Sequence, residues 1–268
     1  MLPKRWSNYV RRVRFLVNLS SVVKHHPIGH RKNDLFRWAA SAGWRRVSDY
    51  RHLSRQLRTL RTSCASTADL NYVYDALQNF PDFKTDQKRQ EIIPLLRILA
   101  DRKPRFLCEI GTSFGGTLFQ LARVSHQQAK IISIDCGLSV VRARVHAGMA
   151  NNSQRIFGLR TDSGARDTIE RVTRLLGTNK LDFLLIDGDH SYEGVAGDFK
   201  NYSPLVKKGG LIAFHDVLPD YKTKLGIDTG NWTGGVPQFW QEIKSTYQTQ
   251  EFLEDENQDG YGLGLVHW

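Results

Sequence analysis

The chain has 268 residues, of which 40% are hydrophobic, and this is enough to bury one α/β core beside a smaller extension. It contains no apolar stretch near the roughly 18 residues of a membrane span, and its basic N-terminus lacks the apolar run and cleavage site of a secretory signal. The three cysteines cannot pair evenly, so we expect free thiols and a cytoplasmic protein.

Positive charge is concentrated near the N-terminus. Residues 1–68 contain 15 lysines and arginines against two aspartates, which gives a net charge of +13. The whole chain carries +11, so residues 69–268 carry −2. We therefore divide the chain into a basic, mainly helical extension over residues 1–85 and a second domain over residues 86–268.

Two amphipathic, basic helices are predicted in this extension. The apolar face of the first consists of Trp6, Val10, Val13 and Val17. The second has Leu53, Leu57 and Leu60 on one face and Arg51, Arg55 and Arg58 on another. Such helices either cover the next domain or bind an acidic partner or an anionic membrane, which would place the protein peripherally at the inner membrane surface. Nucleic acid is the less favoured partner because no RNA-binding motif appears.

A helix is next predicted over Asp86–Ala100, bent or begun near Pro94. The segment Arg105–Gly116 then reads as a strand that closes on an acid and breaks into a glycine turn before a further helix. Gly111 can adopt backbone angles that a side chain forbids, and the free N–H groups of the following helix would face a ligand. A dinucleotide site would have glycine where this chain has Ser113.

Polar residues follow the next two predicted strands as well. Lys130–Asp135 ends on an acid, and Arg155–Arg160 leads into Asp162 and Ser163. Strands that alternate with helices predict a parallel sheet, whose ligands bind beyond the carboxyl ends of the strands. Asp135 lies at the position where such folds bind ribose hydroxyls.

The fourth and fifth predicted strands end in titratable side chains. Asp187 and His190 follow one strand, and His215 and Asp216 follow the other. If the strands are parallel neighbours, these four side chains meet at one edge of the sheet. Groups so close would repel or desolvate one another, which indicates a metal, a proton transfer, or both.

These patterns resemble a known family. The spacing Glu109-x-Gly111-x-x-x-Gly115-Gly116 resembles motif I of class I S-adenosylmethionine-dependent methyltransferases. From Gln87 to the C-terminus the chain resembles the branch that includes macrocin O-methyltransferase and cephalosporin hydroxylase-like proteins. The resemblance implies an α/β fold, with a Rossmann-like, seven-stranded, mostly parallel sheet, flanking helices and an antiparallel pair of strands at one edge.

The resemblance also implies site residues. The cofactor would be S-adenosylmethionine, held by Glu109, Gly111, Thr112, Ser113, Gly115, Asp135, Asp162, Ser163 and Asp187. Asp162 and Ser163 would bind the adenine amino group. The catalytic residues would be His190, as general base for an acceptor hydroxyl, and Asp187. The alternative for His190 is that it caps the next helix or bonds to Glu193.

A divalent metal, Mg or Mn, is also implied. Its ligands would be Asp187, His215 and Asp216. The chain departs from the family at His215, where relatives carry a carboxylate, and imidazole is a poor ligand for Mg²⁺. Either the metal is softer, such as manganese or iron, or His215 does not ligate it, or no metal binds.

The function that follows is O-methylation of a small molecule, with the acceptor hydroxyl on a sugar or other natural-product scaffold. The alternative is a nucleic-acid-associated methyltransferase or binding protein that uses the basic arm, but Asp187-Gly-Asp-His190 lacks the Asn/Asp-Pro-Pro-aromatic pattern of many RNA base methyltransferases. A metal-dependent hydroxylase-like enzyme on the same scaffold is a further alternative. A homo-oligomer is a further expectation.

Two later segments complete the prediction. Residues 219–235 are either a mobile lid that carries Trp232 over the acceptor pocket or a passive surface loop. The helix that follows Asp189 should bury Val195, Phe199 and Tyr202, with Asp198 off that face.

Overall fold

The computed structural model describes residues 32–151, 153–230 and 232–268, with side chains from residue 46 onward. The predicted helix around Trp6–Val17 lies outside the described residues. The chain divides into two compact units, Met1–Leu53 and Ser54–Trp268. In the part that the structure describes, no helix is both long and apolar enough to cross a membrane.

Helices and strands alternate through most of the chain. The helices are α1 (Lys32–Ser63), α2 (Leu70–Gln78), α3 (Arg89–Arg102), α4 (Gly116–Val124), α5 (Val140–Ala147), α6 (Arg166–Leu176), α7 (Tyr192–Tyr202), α8 (Tyr221–Leu225) and α9 (Val236–Thr246). The strands are β1 (Phe106–Ile110), β2 (Lys130–Ile134), β3 (Arg155–Leu159), β4 (Leu181–Ile186), β5 (Val206–His215), β6 (Thr249–Phe252) and β7 (Leu263–His267). Short 3-10 helices cover Pro81–Phe83 and Ser203–Leu205.

The seven strands form one sheet in the order β3-β2-β1-β4-β5-β7-β6. The first five strands run parallel, whereas β7 is antiparallel to both β5 and β6. Strands covered by helices on both faces read as continuous apolar runs, as in β4 with Phe183, Leu184 and Leu185 all buried. The predicted seven-stranded, mostly parallel sheet is confirmed, including its antiparallel edge.

The second predicted helix of the extension is part of α1. Its three predicted apolar positions, Leu53, Leu57 and Leu60, are buried, and its arginines Arg51, Arg55 and Arg58 are exposed. Within the second unit, Arg61 donates to the carbonyl oxygen of Gly148, and Arg123 donates to that of Cys64. These bonds connect the end of α1 to α4 and to the residue that follows α5. The domain boundary at residue 85 stays a prediction.

Two predictions about helices are wrong. The helix expected from Asp86 begins only at Arg89, because Lys88 has extended backbone angles and serves as its N-cap. Asp198 was expected off the buried face of α7, yet it is only 3% exposed. Its carboxylate lies beside Gly188, at the end of β4, where a Cβ would be in ordinary contact with Oδ2 at 3.5 Å.

Candidate active site

The glycine turn joins β1 to α4 and approaches the end of β4 very closely. Gly111 has φ +84°, and a Cβ there would lie 1.7 Å from the carbonyl oxygen of Asp187. No side chain fits that distance, so glycine is required both by conformation and by space. The turn therefore brings the ends of β1 and β4 together under one cavity.

Asp135 lies at the end of β2, beside the turn. Its Oδ2 accepts a hydrogen bond of 2.7 Å from the backbone N–H of Ser113, and its Oδ1 accepts one of 2.7 Å from that of Gly137. Each carboxylate oxygen has a second lone pair. The carboxylate is thus held in place and can still accept hydrogen bonds from hydroxyl groups of a ligand.

Asp162 and Ser163 follow β3 on the same side of the sheet. Asp162 Oδ1 accepts from the N–H of Gly164 at 2.8 Å, and the carbonyl oxygen of Ser163 accepts from the hydroxyl of Tyr202 at 2.7 Å. Within the part of the chain that the structure describes, no backbone N–H donates to Asp162 Oδ2. Both residues line the cavity.

Three residues predicted to bind the cofactor lie away from the cavity wall. Glu109 is buried, and burial raises its carboxyl pKa to about 8. The hydroxyl of Thr112 is 2.7 Å from that of Ser133. A Cβ at Gly115 would lie 2.6 Å from Nε2 of His146, so glycine at this position leaves room for the imidazole ring. These three residues therefore support the glycine turn by packing and hydrogen bonding, and they do not line the cavity.

Asp187, His190, His215 and Asp216 meet at the ends of β4 and β5, as predicted. Nε2 of His190 lies 3.6 Å from Asp187 Oδ1 and 3.5 Å from Asp216 Oδ2. Nδ1 of His215 lies 3.2 Å and 3.3 Å from the same two oxygens. Asp216 has φ +61°, a conformation that is rare outside glycine and is concentrated at functional sites.

His190 has its two ring nitrogens in different surroundings. Nδ1 lies 2.7 Å from the carbonyl oxygen of Trp232, which can only accept, so Nδ1 carries a proton. Nε2 therefore faces the carboxylates and the cavity. The nearby Asp187 carboxylate, with smaller contributions from the carbonyl oxygen of Trp232 and from Asp216, outweighs burial and raises the pKa of His190 to about 9.

His215 is almost fully buried, at 5% exposed. Burial would lower its pKa, but the charges of Asp187 and Asp216 outweigh burial and raise it well above the usual 6.5. Burial likewise opposes ionisation of Asp187, and the two imidazoles nevertheless lower its pKa. The Asp187 carboxylate and the two imidazoles thus stabilise the charged forms of one another.

Gln87 and Tyr261 belong to the site but were not predicted, and Trp232 was predicted only as part of a lid or a surface loop. Gln87 donates from Nε2 to Asp187 Oδ2 at 2.8 Å, and nothing in its local sequence marks this role. Tyr261 packs edge-on against Trp232 with ring centroids 4.7 Å apart. Both aromatic residues line the cavity, so residues 219–235 do contribute a wall to it.

All of these features surround one cavity of about 530 Å³. Its wall comprises Asp86, Ile110, Gly111, Ser113, Ile134, Asp135, Cys136, Thr161, Asp162, Ser163, Asp187, Gly188, Asp189, His190, His215, Asp216, Trp232 and Tyr261. Six of these side chains are carboxylates, and none is a lysine or arginine. The volume falls within the usual range for small-molecule sites.

Comparison with known proteins identifies the domain. Residues 108–217 match the family model described as a methyltransferase domain. An uncharacterized protein of Sinorhizobium fredii is 24% identical over 177 residues, which are 62% of this chain and 17% of that protein. An uncharacterized protein of Acanthamoeba polyphaga mimivirus is 33% identical over 126 residues, 42% of this chain and 52% of that protein. The chain thus spans about half or less of these relatives.

Among solved structures, the O-methyltransferase from Bacillus cereus, in complex with S-adenosylhomocysteine, has the same fold. The TM-score is 0.54 at 15% identity, over 81% of this chain and 100% of that chain. The fold predicted from the sequence, that of class I methyltransferases, is confirmed.

Proposed function

We propose that this chain, whose residues 108–217 match a methyltransferase domain, transfers a methyl group from S-adenosylmethionine to a hydroxyl oxygen of a small molecule. One observation carries the proposal. A single cavity joins acids at the ends of β2, β3 and β4 to an imidazole whose Nε2 faces the cavity. Donor and acceptor could therefore bind side by side.

The cofactor would occupy the side formed by β1, β2 and β3. Asp135 would accept hydrogen bonds from the ribose hydroxyls, because its carboxylate is already fixed by two backbone N–H groups. Asp162 and Ser163 would receive the adenine amino group.

His190 would be the general base. Methyl transfer from a sulfonium is an in-line displacement, so the protein must mainly align the two reactants and remove the hydroxyl proton. The carbonyl oxygen of Trp232 fixes one proton on Nδ1, so in neutral His190 the lone pair is on Nε2 and can accept the proton of the substrate. The carboxylates beside it favour the protonated ring, so His190 would act as a base once a bound cation offsets their charge and lowers its pKa. His190 is also the more accessible imidazole, with 32% of its side chain exposed against 5% for His215.

The donor atoms fit a divalent cation. One atom each from Asp187, His190 and Asp216 lie within 4.8 Å of one another, and Asp216 Oδ1 is buried without a hydrogen-bond partner. We assign the two carboxylates to the cation and leave His190 to the acceptor. When bound, the cation would lower the pKa of the acceptor hydroxyl and offset the negative charge beside His190. We leave His215 out of the ligand set, because its Nδ1 is placed to donate to both carboxylates.

The composition of the wall bears on the acceptor. Six carboxylates without a lysine or arginine would repel a phosphate backbone, so the described cavity favours an uncharged or cationic acceptor over RNA. The rings of Trp232 and Tyr261 offer apolar faces to a sugar or another natural-product ring. A hydroxyl on such a scaffold is the acceptor we propose.

The test is calorimetric titration of the protein with S-adenosylhomocysteine, with and without Mg²⁺ or Mn²⁺. We expect one molecule bound per chain. A panel of sugars and natural-product alcohols, incubated with S-adenosylmethionine, should then yield a product heavier by one methylene group. Absence of S-adenosylhomocysteine binding would refute the proposal, and a product heavier by one oxygen would indicate a hydroxylase instead.

A further inference from the structure

Gln87 makes a buried hydrogen bond to the candidate active site from a distant part of the chain. It lies just before α3, is 4% exposed, and donates from Nε2 to Asp187 Oδ2 at 2.8 Å. The two residues are 100 positions apart in sequence. The bond therefore exists only because the segment before α3 packs over the end of β4.

The orientation of this amide is fixed by two hydroxyl groups. Thr85 and Thr117 both donate to Oε1 of Gln87, and their hydroxyl oxygens lie 3.0 Å apart. A carboxylate can only accept, so a reversed amide would place its oxygen against Asp187 and lose that bond. The hydroxyl pair thus directs the NH₂ group of Gln87 toward Asp187.

The segment that carries Gln87 is itself fixed against the glycine turn. A Cβ at Gly116 would lie 2.4 Å from the carbonyl oxygen of Lys84 and 2.6 Å from that of Phe83. Phe83 is fully buried, and Arg142 donates to the carbonyl oxygen of Asp82. Gln87 is therefore anchored to the scaffold and can act as a rigid support.

From this geometry we propose that Gln87 is a positioning residue for Asp187. By engaging Oδ2, it holds the carboxylate so that Oδ1 faces His190 and the cavity, where a divalent cation would bind. This inference rests on the cation site of the proposed function. Groups that orient a metal-ligating carboxylate in this way contribute strongly to metal affinity.

The experiment measures Mn²⁺ binding by electron paramagnetic resonance, in the absence of cofactor, on the full chain and its variants. Gln87→Met removes the donor but keeps the length of the side chain. We expect it to weaken Mn²⁺ binding about 10- to 100-fold. S-adenosylhomocysteine affinity, measured by calorimetry, should change less than about threefold, because Gln87 does not line the cavity.

The matched control is Gln154→Met. Gln154 is also a buried glutamine, at 7% exposed, and its Nε2 donates to the carbonyl oxygens of Ala122 and His126. It contacts neither Asp187 nor Asp216, so its loss should leave Mn²⁺ affinity unchanged. A loss in both variants would indicate general loosening of the fold and would overturn the inference.

A second variant keeps the test decisive if Gln87→Met does not fold. Thr117→Val removes one of the hydroxyls that orient the amide, and we expect a smaller loss of Mn²⁺ affinity, about threefold to tenfold. Wild-type Mn²⁺ affinity in Gln87→Met, or in Thr117→Val when the first variant is unfolded, would overturn the inference. Wild-type protein that binds S-adenosylhomocysteine but not Mn²⁺ would also overturn it, while leaving methyl transfer standing.

Discussion

The two halves of the cavity are built differently. In the cofactor half, at the ends of β2 and β3, the acids Asp135 and Asp162 each bond to a backbone N–H two residues further along the chain. In the acceptor half, at the ends of β4 and β5, Asp187 is fixed by Gln87 and His190 by the carbonyl oxygen of Trp232. Asp135 also accepts from the backbone N–H of Ser113, on the glycine turn. The acids of the first half are thus held by backbone N–H groups of turns, whereas the second half depends on a side-chain amide and on a carbonyl oxygen of a distant loop.

This difference indicates how the two halves could change independently. Backbone N–H groups do not depend on the side chains that the turns carry, so we expect the cofactor half to tolerate substitutions elsewhere in the fold as long as the glycine turn is kept. The acceptor half depends on the segment before α3 and on residues 219–235, so changes in these segments alter the acceptor site while the cofactor site is retained. The following variants test that separation, from the largest expected effect to the smallest.

Gly111→Ala should disrupt both halves at once. Its Cβ would lie 1.7 Å from the carbonyl oxygen of Asp187, in a conformation with φ +84° that alanine disfavours. We expect a loss of at least about 4 kcal/mol in the free energy of unfolding, or no folded protein. Chemical denaturation measures it. The control Gly226→Ala has φ +71° but open space, so it should cost only about 1 kcal/mol, and equal effects would contradict the close approach.

His190→Ala should affect the acceptor half alone. Removal of a general base lowers kcat by about 10²- to 10⁴-fold, whereas the cofactor contacts remain. Turnover with an identified acceptor and calorimetry with S-adenosylhomocysteine measure the two effects separately. Full turnover in this variant, with cofactor binding intact, would contradict the assignment of His190 as the general base. His215 would then be the next candidate for that role.

Asp135→Ala should affect the cofactor half alone. It removes the proposed acceptor of the ribose hydroxyls, and hydrogen bonds to a charged group are worth about 1.5 to 3 kcal/mol, or about 10- to 100-fold in affinity. We expect this loss in S-adenosylhomocysteine binding and unchanged Mn²⁺ binding. An equal loss of both ligands would show that the two halves are not independent.

Asp198→Asn examines a buried contact beneath the cofactor half. Burial raises the pKa of Asp198 to about 6, from 3.8, so the folded state loses stability as the pH rises between these values. Asparagine removes that penalty, and we expect the variant to gain on the order of 1 kcal/mol relative to wild type above pH 6, and nothing below pH 4. Urea unfolding at several pH values measures it. A constant difference across that window would contradict the assignment.

Features that depend on local sequence are predicted well. The sequence predicts the seven strands, the glycine turn and the acids at the strand ends, because apolar runs and turn residues act locally, whereas α2 and the short α8 are not predicted. Asp187, His190, His215 and Asp216 were correctly expected to meet, since adjacent parallel strands end at one edge.

The remainder depends on contacts that no local pattern contains. Gln87 was assigned to a helix, and its role becomes visible only once α3 is seen to begin at Arg89. The partner of His190 is a backbone carbonyl oxygen, which any residue could supply at position 232. Asp198 is buried beside Gly188, which lies on another element, and the helical pattern of its own segment does not contain that contact.

The most direct test of the account is a crystal structure of the protein with S-adenosylhomocysteine. We predict the adenosine between Gly111 and Asp162, with the ribose hydroxyls on Asp135 and the sulfur pointing toward His190. A cofactor bound elsewhere, or a cavity that stays empty although the crystals were soaked at saturating concentration, would contradict the central claim.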